Sequence, residues 1–350
     1  MRLQIEAIVW RGAIAESRHR FEAAAVAADG ARVAGTPGAE QVTTFRSAAK
    51  PFQLLPLVER GHADRWGFDD RALAVMAASH TGSAEHLAEV RKILARIGLT
   101  DRDLACGFHE PLDPASLARV RAEARERSPL YNNCSGKHAG MLALALAEGW
   151  PSQGYERADH PVQRLMRTTV AEVCGMAAEA VTVAVDGCSA SVFGLPLAAM
   201  ARGYARLAAA RPAGEARERA LARIRDAMRA HPRLTGGAGR SGTELMEGTR
   251  ERLVAKGGAE GLECVGLPER GHGLALKCED GQGRAVLAAT VEVLDALGWL
   301  EGGDLERLAT ARRPVVTNHA GLEVGRIEVV IEVTAAPGDP VREARTAAGA

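Results

Sequence analysis

A serine and a lysine stand three residues apart in the stretch Arg46-Ser47-Ala48-Ala49-Lys50-Pro51-Phe52-Gln53. On a helix, residues i and i+3 share one face, so the Ser47 hydroxyl and the Lys50 amine could meet. A serine needs a neighbouring base to become a nucleophile, and a lysine in apolar surroundings can lose its proton and act as that base. Pro51 fits a helix that begins near Ser47, because proline is tolerated in the first turn. Alone, the motif is better explained as a helix cap followed by a surface lysine.

Two further stretches place polar and glycine residues where core patterning predicts neither. Ser79-His80-Thr81-Gly82 follows an apolar run, and in isolation Ser79 is best explained as a helix cap. Lys256-Gly257-Gly258 follows a predicted strand, Leu253–Ala255. Glycines there let backbone N–H groups approach a ligand closely, as an oxyanion hole requires. The alternative is a glycine-rich hairpin with a surface lysine.

Another two stretches combine thiols with nitrogen and carboxylate groups. They are Asn133-Cys134-Ser135-Gly136-Lys137-His138 and Asp186-Gly187-Cys188. Two thiolates, a nitrogen and a water would suit tetrahedral zinc. The paired Cys-x-x-Cys pattern of many structural zinc sites is missing, so two buried cysteines explain these stretches equally well. Asp186 could instead bind a ligand amine, with His138 orienting it.

The composition is that of an ordinary soluble globular protein. The 350 residues are 47% hydrophobic and 25% charged, and the 44 basic residues balance the 44 acidic ones. This balance and the 4% aromatic content argue against nucleic acid or a membrane as a partner. The first residues lack a signal-peptide pattern, which predicts a cytoplasmic protein whose six cysteines are reduced thiols.

Strand patterns at both ends of the chain enclose a mainly helical middle. We therefore predict an α+β fold in which N- and C-terminal strands share an antiparallel sheet, with packed helices and an inserted helical lobe. The chain is expected to form one catalytic domain over 1–335, with a sheet lobe at about 1–45 and 251–335, a helical lobe at about 46–250, and a flexible tail at 336–350. Expected helices include 84–97, 114–127, 139–148, 159–173, 195–210, 214–230 and 285–299.

Taken together, the motifs resemble those of serine β-lactamases and penicillin-binding proteins. In that pattern, Ser-x-x-Lys starts a helix, a middle element supplies a polar group, and Lys-[Thr/Ser/Gly]-Gly lies on a strand. Here Ser47 and Lys50 match the first part, Tyr131-x-Asn133 the middle part and Lys256-Gly257 the last.

A closer resemblance covers about residues 5 to 335. The carrying segments are WRGAIAESRHR (10–20), RSAAKPFQLLPLVERG (46–61), ASHTGS (78–83), NNCSGKHAGML (132–142), DGCSA (186–190) and LVAKGGAEG (253–261). They are similar to those of the asparaginase II family, the rhizobial-type, class 3 L-asparaginases. The resemblance implies hydrolysis of L-asparagine to L-aspartate and ammonia, a fold related to serine β-lactamases and glutaminases, and a homodimer.

The resemblance also implies residue roles. The catalytic pairs are Ser47 with Lys50 and Ser79 with Lys256. Zinc, supporting substrate binding rather than chemistry, would be held by Cys134, Lys137 and Cys188. The remaining expected substrate-binding residues are Arg46, Asn133, His138, Asp186, Gly257 and Gly258.

The predicted mechanism is covalent. Ser47, deprotonated by neutral Lys50, would attack the side-chain amide of asparagine and form an acyl-enzyme, while Ser79 with Lys256 relays protons. The alternatives are a glutaminase, a β-lactamase-like or D,D-peptidase-like serine hydrolase, or a non-catalytic protein that binds an amino acid or zinc.

Overall fold

The computed structural model describes residues 1–122 and 127–334. Its strands are β1 (Arg2–Arg11), β2 (Ile14–Ala27), β3 (Arg32–Gly35), β4 (Val42–Thr44), β5 (Thr182–Val185), β6 (Ser191–Pro196), β7 (Val254–Gly258), β8 (Leu262–Leu267), β9 (His272–Cys278), β10 (Val315–Thr317) and β11 (Glu323–Thr334). Its helices are α1 (Lys50–Glu59), α2 (His62–Arg65), α3 (Asp70–Met76), α4 (Ala84–Arg96), α5 (Pro114–Ala122), α6 (Ser135–Ala147), α7 (Pro161–Cys174), α8 (Leu197–Ala209), α9 (Ala216–Ala230), α10 (Pro232–Thr235), α11 (Ser241–Gly248), α12 (Val286–Ala296), α13 (Asp304–Arg307) and α14 (Ala309–Arg312).

The main sheet contains strands from both ends of the chain, as predicted. Its order is β10-β11-β1-β3-β2-β9-β8-β7, with β1 also pairing directly with β2. The first and last long strands lie side by side and antiparallel, from Arg2 opposite Thr334 to Arg11 opposite Gly325. One bridge between β1 and β3 is parallel, so the sheet is mostly rather than wholly antiparallel. β7, which carries Lys256, is an edge strand.

The structure contains a second, three-stranded sheet. Its order is β4-β6-β5. β5 and β6 lie within the segment expected to be mainly helical, whereas β4 lies within the expected sheet lobe. Almost all of β6 is buried, so it lacks the alternation of polar and apolar residues that marks a half-exposed strand. The helix expected over 195–210 therefore begins only at Leu197.

Helices cover both faces of the main sheet. Ala24, Val26 and Ala275 on one face belong to the same apolar core as α1 and α8. Leu274 and Leu276 on the other face pack in a separate core with α11 and α12. Because both faces are buried, β9 is apolar along most of its length instead of alternating.

Several helix boundaries differ from the sequence expectation, and two of the differences affect the site. Arg46–Ala49 form a 3₁₀ turn, and the α-helix starts only at Lys50, with Pro51 in its first turn. Pro56 lies inside that helix, which continues to Glu59. Helix α6 starts at Ser135 rather than Ala139, so Lys137 and His138 lie within it. Residues 123–126 of the expected helix 114–127, and the expected tail 336–350, lie outside the described residues.

No helix in the described parts of the chain combines the length and apolar character needed to cross a membrane.

Strand β9 approaches α8 so closely that Gly273 leaves no room for a side chain. A Cβ at this position would lie 2.0 Å from the Ala201 carbonyl oxygen and 2.3 Å from the Ala205 nitrogen. Both atoms belong to the helix backbone and cannot move by changing a rotamer. We expect Gly273→Ala to lower the free energy of unfolding by about 1–3 kcal/mol, measured by urea denaturation.

Gly302→Ala is the matched control, because a Cβ there meets no atom within 4 Å. Equal stability of the two variants would contradict the close packing of β9 on α8.

Candidate active site

The Lys50 amine lies at the centre of the candidate site. The side chain is 1% exposed, and Nζ lies 2.6 Å from the Ala78 carbonyl oxygen, 2.9 Å from Ser79 Oγ and 3.4 Å from the Asn133 carbonyl oxygen. A neutral amine has two N–H groups and one lone pair. As an ammonium group, Lys50 donates to all three oxygen atoms; as a neutral amine it can donate to the two carbonyls and accept the Ser79 hydroxyl proton.

The charge state of Lys50 follows from its surroundings. Burial lowers the pKa of Lys50, since the charged form loses its hydration, and the positive charge of Lys137 adds to this effect. Cys134 and Cys188 oppose it by favouring the charged amine. The net shift is downward, toward the neutral amine that a general base requires.

The hydrogen bonds differ from the pairing expected for the two serines. Within residues 1–122 and 127–334, the Ser47 hydroxyl makes no hydrogen bond, and the partner of Lys50 is Ser79. Ser47 lies in the 3₁₀ turn and is half-buried, whereas Ser79 is 2% exposed. A substrate can therefore reach the Ser47 hydroxyl more easily than that of Ser79.

Lys256 lies on the edge strand β7 and is almost fully buried. Its Nζ donates to the Gly257 carbonyl oxygen at 2.9 Å instead of to Ser79. Burial lowers the pKa of Lys256 well below its ordinary value, and the positive charges of Lys50 and Arg240 add to this shift. Lys256 and Ser79 nevertheless line the same small cavity of about 20 Å³, which has room for one water molecule.

A buried carboxyl group next to β7 was not predicted from the sequence. Glu263 on β8 accepts a hydrogen bond from the Ser241 hydroxyl, and burial raises the pKa of Glu263 to about 7. A Cβ on Gly257 would lie 2.9 Å from Ser241 Oγ and 3.0 Å from Glu263 Oε2. Gly257 is thus required by these two neighbours and not by an unusual backbone angle. The pairing of β7 with β8, which puts Glu263 opposite Gly257, is the signal that sequence reasoning lacked.

Arg46 and Asp186 form an ion pair beside this strand. Arg46 Nε donates to Asp186 Oδ1 at 3.0 Å, and both side chains remain partly exposed. Arg46 has φ of 42°, a left-handed conformation that costs energy for a residue with a Cβ. A Cβ on Gly258 would lie 3.4 Å from the Arg46 Cβ. The structure therefore brings together three of the expected substrate-binding residues.

The two thiols and the lysine expected to bind zinc lie together. Lys137 Nζ is 3.1 Å from Cys188 Sγ, and Cys134 and Cys188 are both buried. The Cys188 thiol donates to Cys134 and lowers the pKa of Cys134 well below its ordinary value, although burial opposes this. Burial also disfavours the charged form of Lys137, but Cys188 and Cys134 outweigh it and raise the pKa of Lys137.

This donor set fits zinc. Two sulfur atoms and one nitrogen converge in a buried place, and a thiol whose pKa is already lowered gives up its proton readily to a metal. Zinc would replace the proton that Lys137 carries and favour its neutral amine. The side chain of Asn133 is also close, because its Oδ1 lies 3.2 Å from Cys134 Sγ.

His138 packs against Tyr155. It is fully buried, and Nδ1 lies 2.7 Å from the Tyr155 hydroxyl, which accepts from the Ala105 N–H at 2.8 Å. The hydroxyl proton therefore points to Nδ1, and the imidazole carries its own proton on Nε2. Burial lowers the pKa of His138 well below its ordinary value, so the ring is neutral. Among the described residues, Nε2 has no hydrogen-bond partner.

Two other histidines support the backbone of the site. His80 belongs to a stretch that the sequence singled out but had no predicted role, and His109 was not singled out. His80 Nδ1 accepts from the Gly82 N–H at 3.2 Å, so Nε2 carries the proton and donates to Ser135 Oγ at 2.8 Å. His109 Nε2 accepts from the Asn133 N–H at 2.8 Å. These contacts hold the turn whose carbonyl oxygen faces Lys50.

Comparisons with solved structures, curated sequences and family models gave three different results. Two crystal structures of Mglu, one in its native form in the presence of 4.3 M NaCl, are each 17% identical to the chain with a TM-score of 0.45. Each alignment covers 82% of this chain, which spans 63% and 69% of the two Mglu chains. No curated protein sequence matches the chain. The model of the family described as L-asparaginase II matches residues 7–329. Because that match covers nearly the whole sequence, the chain belongs to the L-asparaginase II family.

Proposed function

We propose that this protein hydrolyses L-asparagine to L-aspartate and ammonia through a serine nucleophile and an acyl-enzyme. The family supports an amidohydrolase acting on asparagine in general. The observation that carries the finer proposal is the buried Lys50 amine, which lies within hydrogen-bond distance of the Ser79 hydroxyl and of two backbone carbonyl oxygens. An amine held in this way is a base without a charged partner.

Ser47 is the proposed nucleophile, and Ser79 the proposed proton relay. The half-buried Ser47 hydroxyl gives its proton to Lys50 and bonds to the side-chain amide carbon of asparagine. Ser79, hydrogen-bonded to the same Nζ, then passes a proton to the departing ammonia. A water molecule next to Ser79 and Lys256 hydrolyses the acyl-enzyme and returns the proton to Ser47. In this assignment Lys50 accepts the proton of Ser47 and hydrogen-bonds to Ser79, and Lys256 activates the water.

The edge of the main sheet is the proposed oxyanion site. Among the described residues, β7 pairs with β8 on one side only, so backbone groups on its other side have no strand partner there. Gly257 and Gly258 keep side chains out of this edge. Backbone N–H groups there can stabilise the negative oxygen of the tetrahedral intermediate.

The ion pair of Arg46 and Asp186 matches the two charges of an α-amino acid. The guanidinium can bind the α-carboxylate, and the carboxylate can bind the α-ammonium group. Their partial exposure makes both groups accessible to a ligand. Asn133 and His138, the other expected binding residues, contribute mainly by holding neighbouring groups in this structure.

Zinc would be held by Cys134, Lys137 and Cys188, and as a bound cation it would strengthen the field that attracts the substrate carboxylate. The chain itself supplies two thiols and an amine, and the sulfur groups raise the pKa of that amine. The family resemblance also leads us to propose the serine β-lactamase/glutaminase-like fold, one catalytic domain, a homodimer and a cytoplasmic location.

Replacing each serine separately tests the assignment. We expect Ser47→Ala to lower kcat by roughly 10⁶-fold, since it removes the nucleophile. Ser79→Ala is expected to cost only roughly 10²–10⁴-fold, as for loss of a proton-transfer group. The measurement is ammonia release from asparagine, with glutamine and nitrocefin as competing substrates for the alternative hydrolases.

Ser17→Ala on β2 is the control and is expected to keep full activity, since its hydroxyl has no hydrogen-bond partner among the described residues. Mass spectrometry of acid-quenched enzyme should show an aspartyl adduct on Ser47. An active Ser47→Ala variant, or an adduct on Ser79 alone, would reverse the roles of the two serines.

The pH dependence of activity reports the charge of Lys50. Protonated Lys50 cannot act as a base, so kcat/KM should rise with pH through the pKa of Lys50, which burial lowers from its ordinary value. In metal-free enzyme, where Lys137 is charged, Lys137→Met removes a positive charge that lowers the pKa of Lys50 and should move the rising limb to higher pH. A pH profile unchanged by Lys137→Met would argue against Lys50 as the titrating base.

Removal of zinc should affect substrate binding more than chemistry. In enzyme dialysed against a chelator, we expect KM for asparagine to rise on the order of tenfold, equal to about 1.4 kcal/mol of binding, with kcat nearly unchanged. Restoring Zn²⁺ should reverse the change. A loss of kcat at constant KM would instead give the metal a catalytic role.

A further inference from the structure

A second cluster of metal-binding side chains lies on the main sheet, outside the candidate active site. It consists of His19 on β2, Cys278 at the end of β9 and Asp280 just beyond it. Phe21 pairs with Cys278, and the Glu279 N–H donates to the Arg20 carbonyl oxygen at 2.9 Å. This register places His19 opposite Asp280. Since residues two apart on a strand share a face, all three side chains point to the same side of the sheet.

The three side chains already touch one another. His19 Nδ1 lies 2.7 Å from Asp280 Oδ2, and the Cys278 thiol donates to Asp280 Oδ1 at 2.9 Å. One nitrogen, one sulfur and one carboxylate oxygen all lie within 4.8 Å of one another. Ligands of one tetrahedral zinc ion have spacings below this limit, because each lies about 2.0–2.3 Å from the metal. Small movements of the side chains would therefore suffice.

Burial divides the cluster into an inner and an outer part. His19 is 5% exposed and Cys278 is fully buried, whereas the Asp280 side chain is 45% exposed. An ion can thus enter from the Asp280 side, and solvent can supply a fourth ligand there. The Gln282 N–H holds Asp280 Oδ1 at 2.9 Å and orients the carboxylate.

The two ring nitrogens of His19 have different surroundings. Nδ1 faces the Asp280 carboxylate and is the atom that would bind the ion. Nε2 is buried and has no hydrogen-bond partner in the part of the chain that the structure describes, so it would carry the ring proton when Nδ1 binds a metal.

We propose that His19, Cys278 and Asp280 form a binding site for a divalent metal ion of the zinc class, separate from Cys134, Lys137 and Cys188. Imidazole and thiolate ligands favour zinc over magnesium or calcium. On binding, the Cys278 thiol releases its proton to solvent. The charges of the thiolate and of the Asp280 carboxylate then balance the two positive charges of the metal.

The site joins structural elements that are distant in sequence. The metal would link β2 to the end of β9 and the turn that follows. The Cys278 N–H also donates to the Gly261 carbonyl oxygen at 2.8 Å, in the turn between β7 and β8. A Cβ on Gly261 would lie 2.6 Å from the Cys278 Cβ, so this turn packs tightly on the site. Bound metal should therefore stabilise this end of the sheet.

Zinc stoichiometry tests the proposal. Metal-free full-length protein is dialysed against buffered Zn²⁺, and bound metal is measured by mass spectrometry of the ion. We expect Cys278→Ser and Asp280→Asn each to bind one zinc fewer than the wild type. Asp280→Asn alters an exposed turn and preserves side-chain size. It therefore tests the site even if Cys278→Ser does not fold.

Cys174→Ser is the matched control, because Cys174 is equally buried but lies outside both clusters. It should bind as much zinc as the wild type. Anomalous scattering at the zinc edge from wild-type crystals provides a direct test without substitution. A peak bonded to His19, Cys278 and Asp280 would support the site. Equal zinc content in the wild type and both ligand variants, or anomalous peaks only elsewhere, would overturn it.

Discussion

The burial of the Lys50 amine is the constraint on which the rest of the site depends. A charged ammonium group so far from water is costly, and a neutral amine is stable there only if its N–H groups find acceptors. The Ala78 and Asn133 carbonyl oxygens are those acceptors, and the Ser79 hydroxyl is the third hydrogen-bond partner of the amine. These atoms come from the segment after α3 and the turn before α6, while Lys50 begins α1. The packing of these helices therefore determines the chemistry of a single nitrogen atom.

Three buried lysines in one region have different environments, and this separates their roles. Lys137 lies against Cys188, and the sulfur groups raise its pKa. Lys50 and Lys256 have no carboxylate within ion-pair distance among the described residues, and burial lowers their pKa values. Groups of one type whose pKa values are pushed apart are typical of active sites. The same protein thus offers an amine suited to accept a proton and another suited to pair with thiolates.

The main sheet supplies rigidity to both proposed sites. Its β7 edge presents Lys256 and two glycines, and the Glu263–Ser241 hydrogen bond fills the space where a side chain on Gly257 would be. The end of β9 carries the second metal-binding cluster and packs on the turn that follows β7. A site on paired strands covered by helices keeps its geometry better than one on a free loop.

The sequence by itself determined the family, the strands at the two ends of the chain and most of the residues that converge at the site. Ser47, Lys50, Ser79 and Lys256 carry chemical groups in short motifs, and motifs of adjacent residues can be read without a fold. Tertiary structure decided which groups meet. Lys50 hydrogen-bonds to Ser79, which is 29 residues away in sequence, rather than to Ser47. His19 contacts Asp280, although the two are 261 residues apart in sequence. The buried strand β6 and the Glu263–Ser241 hydrogen bond were likewise not predicted from the sequence. The physical reason is that such contacts depend on strand register and helix packing, which local propensity and periodicity do not specify.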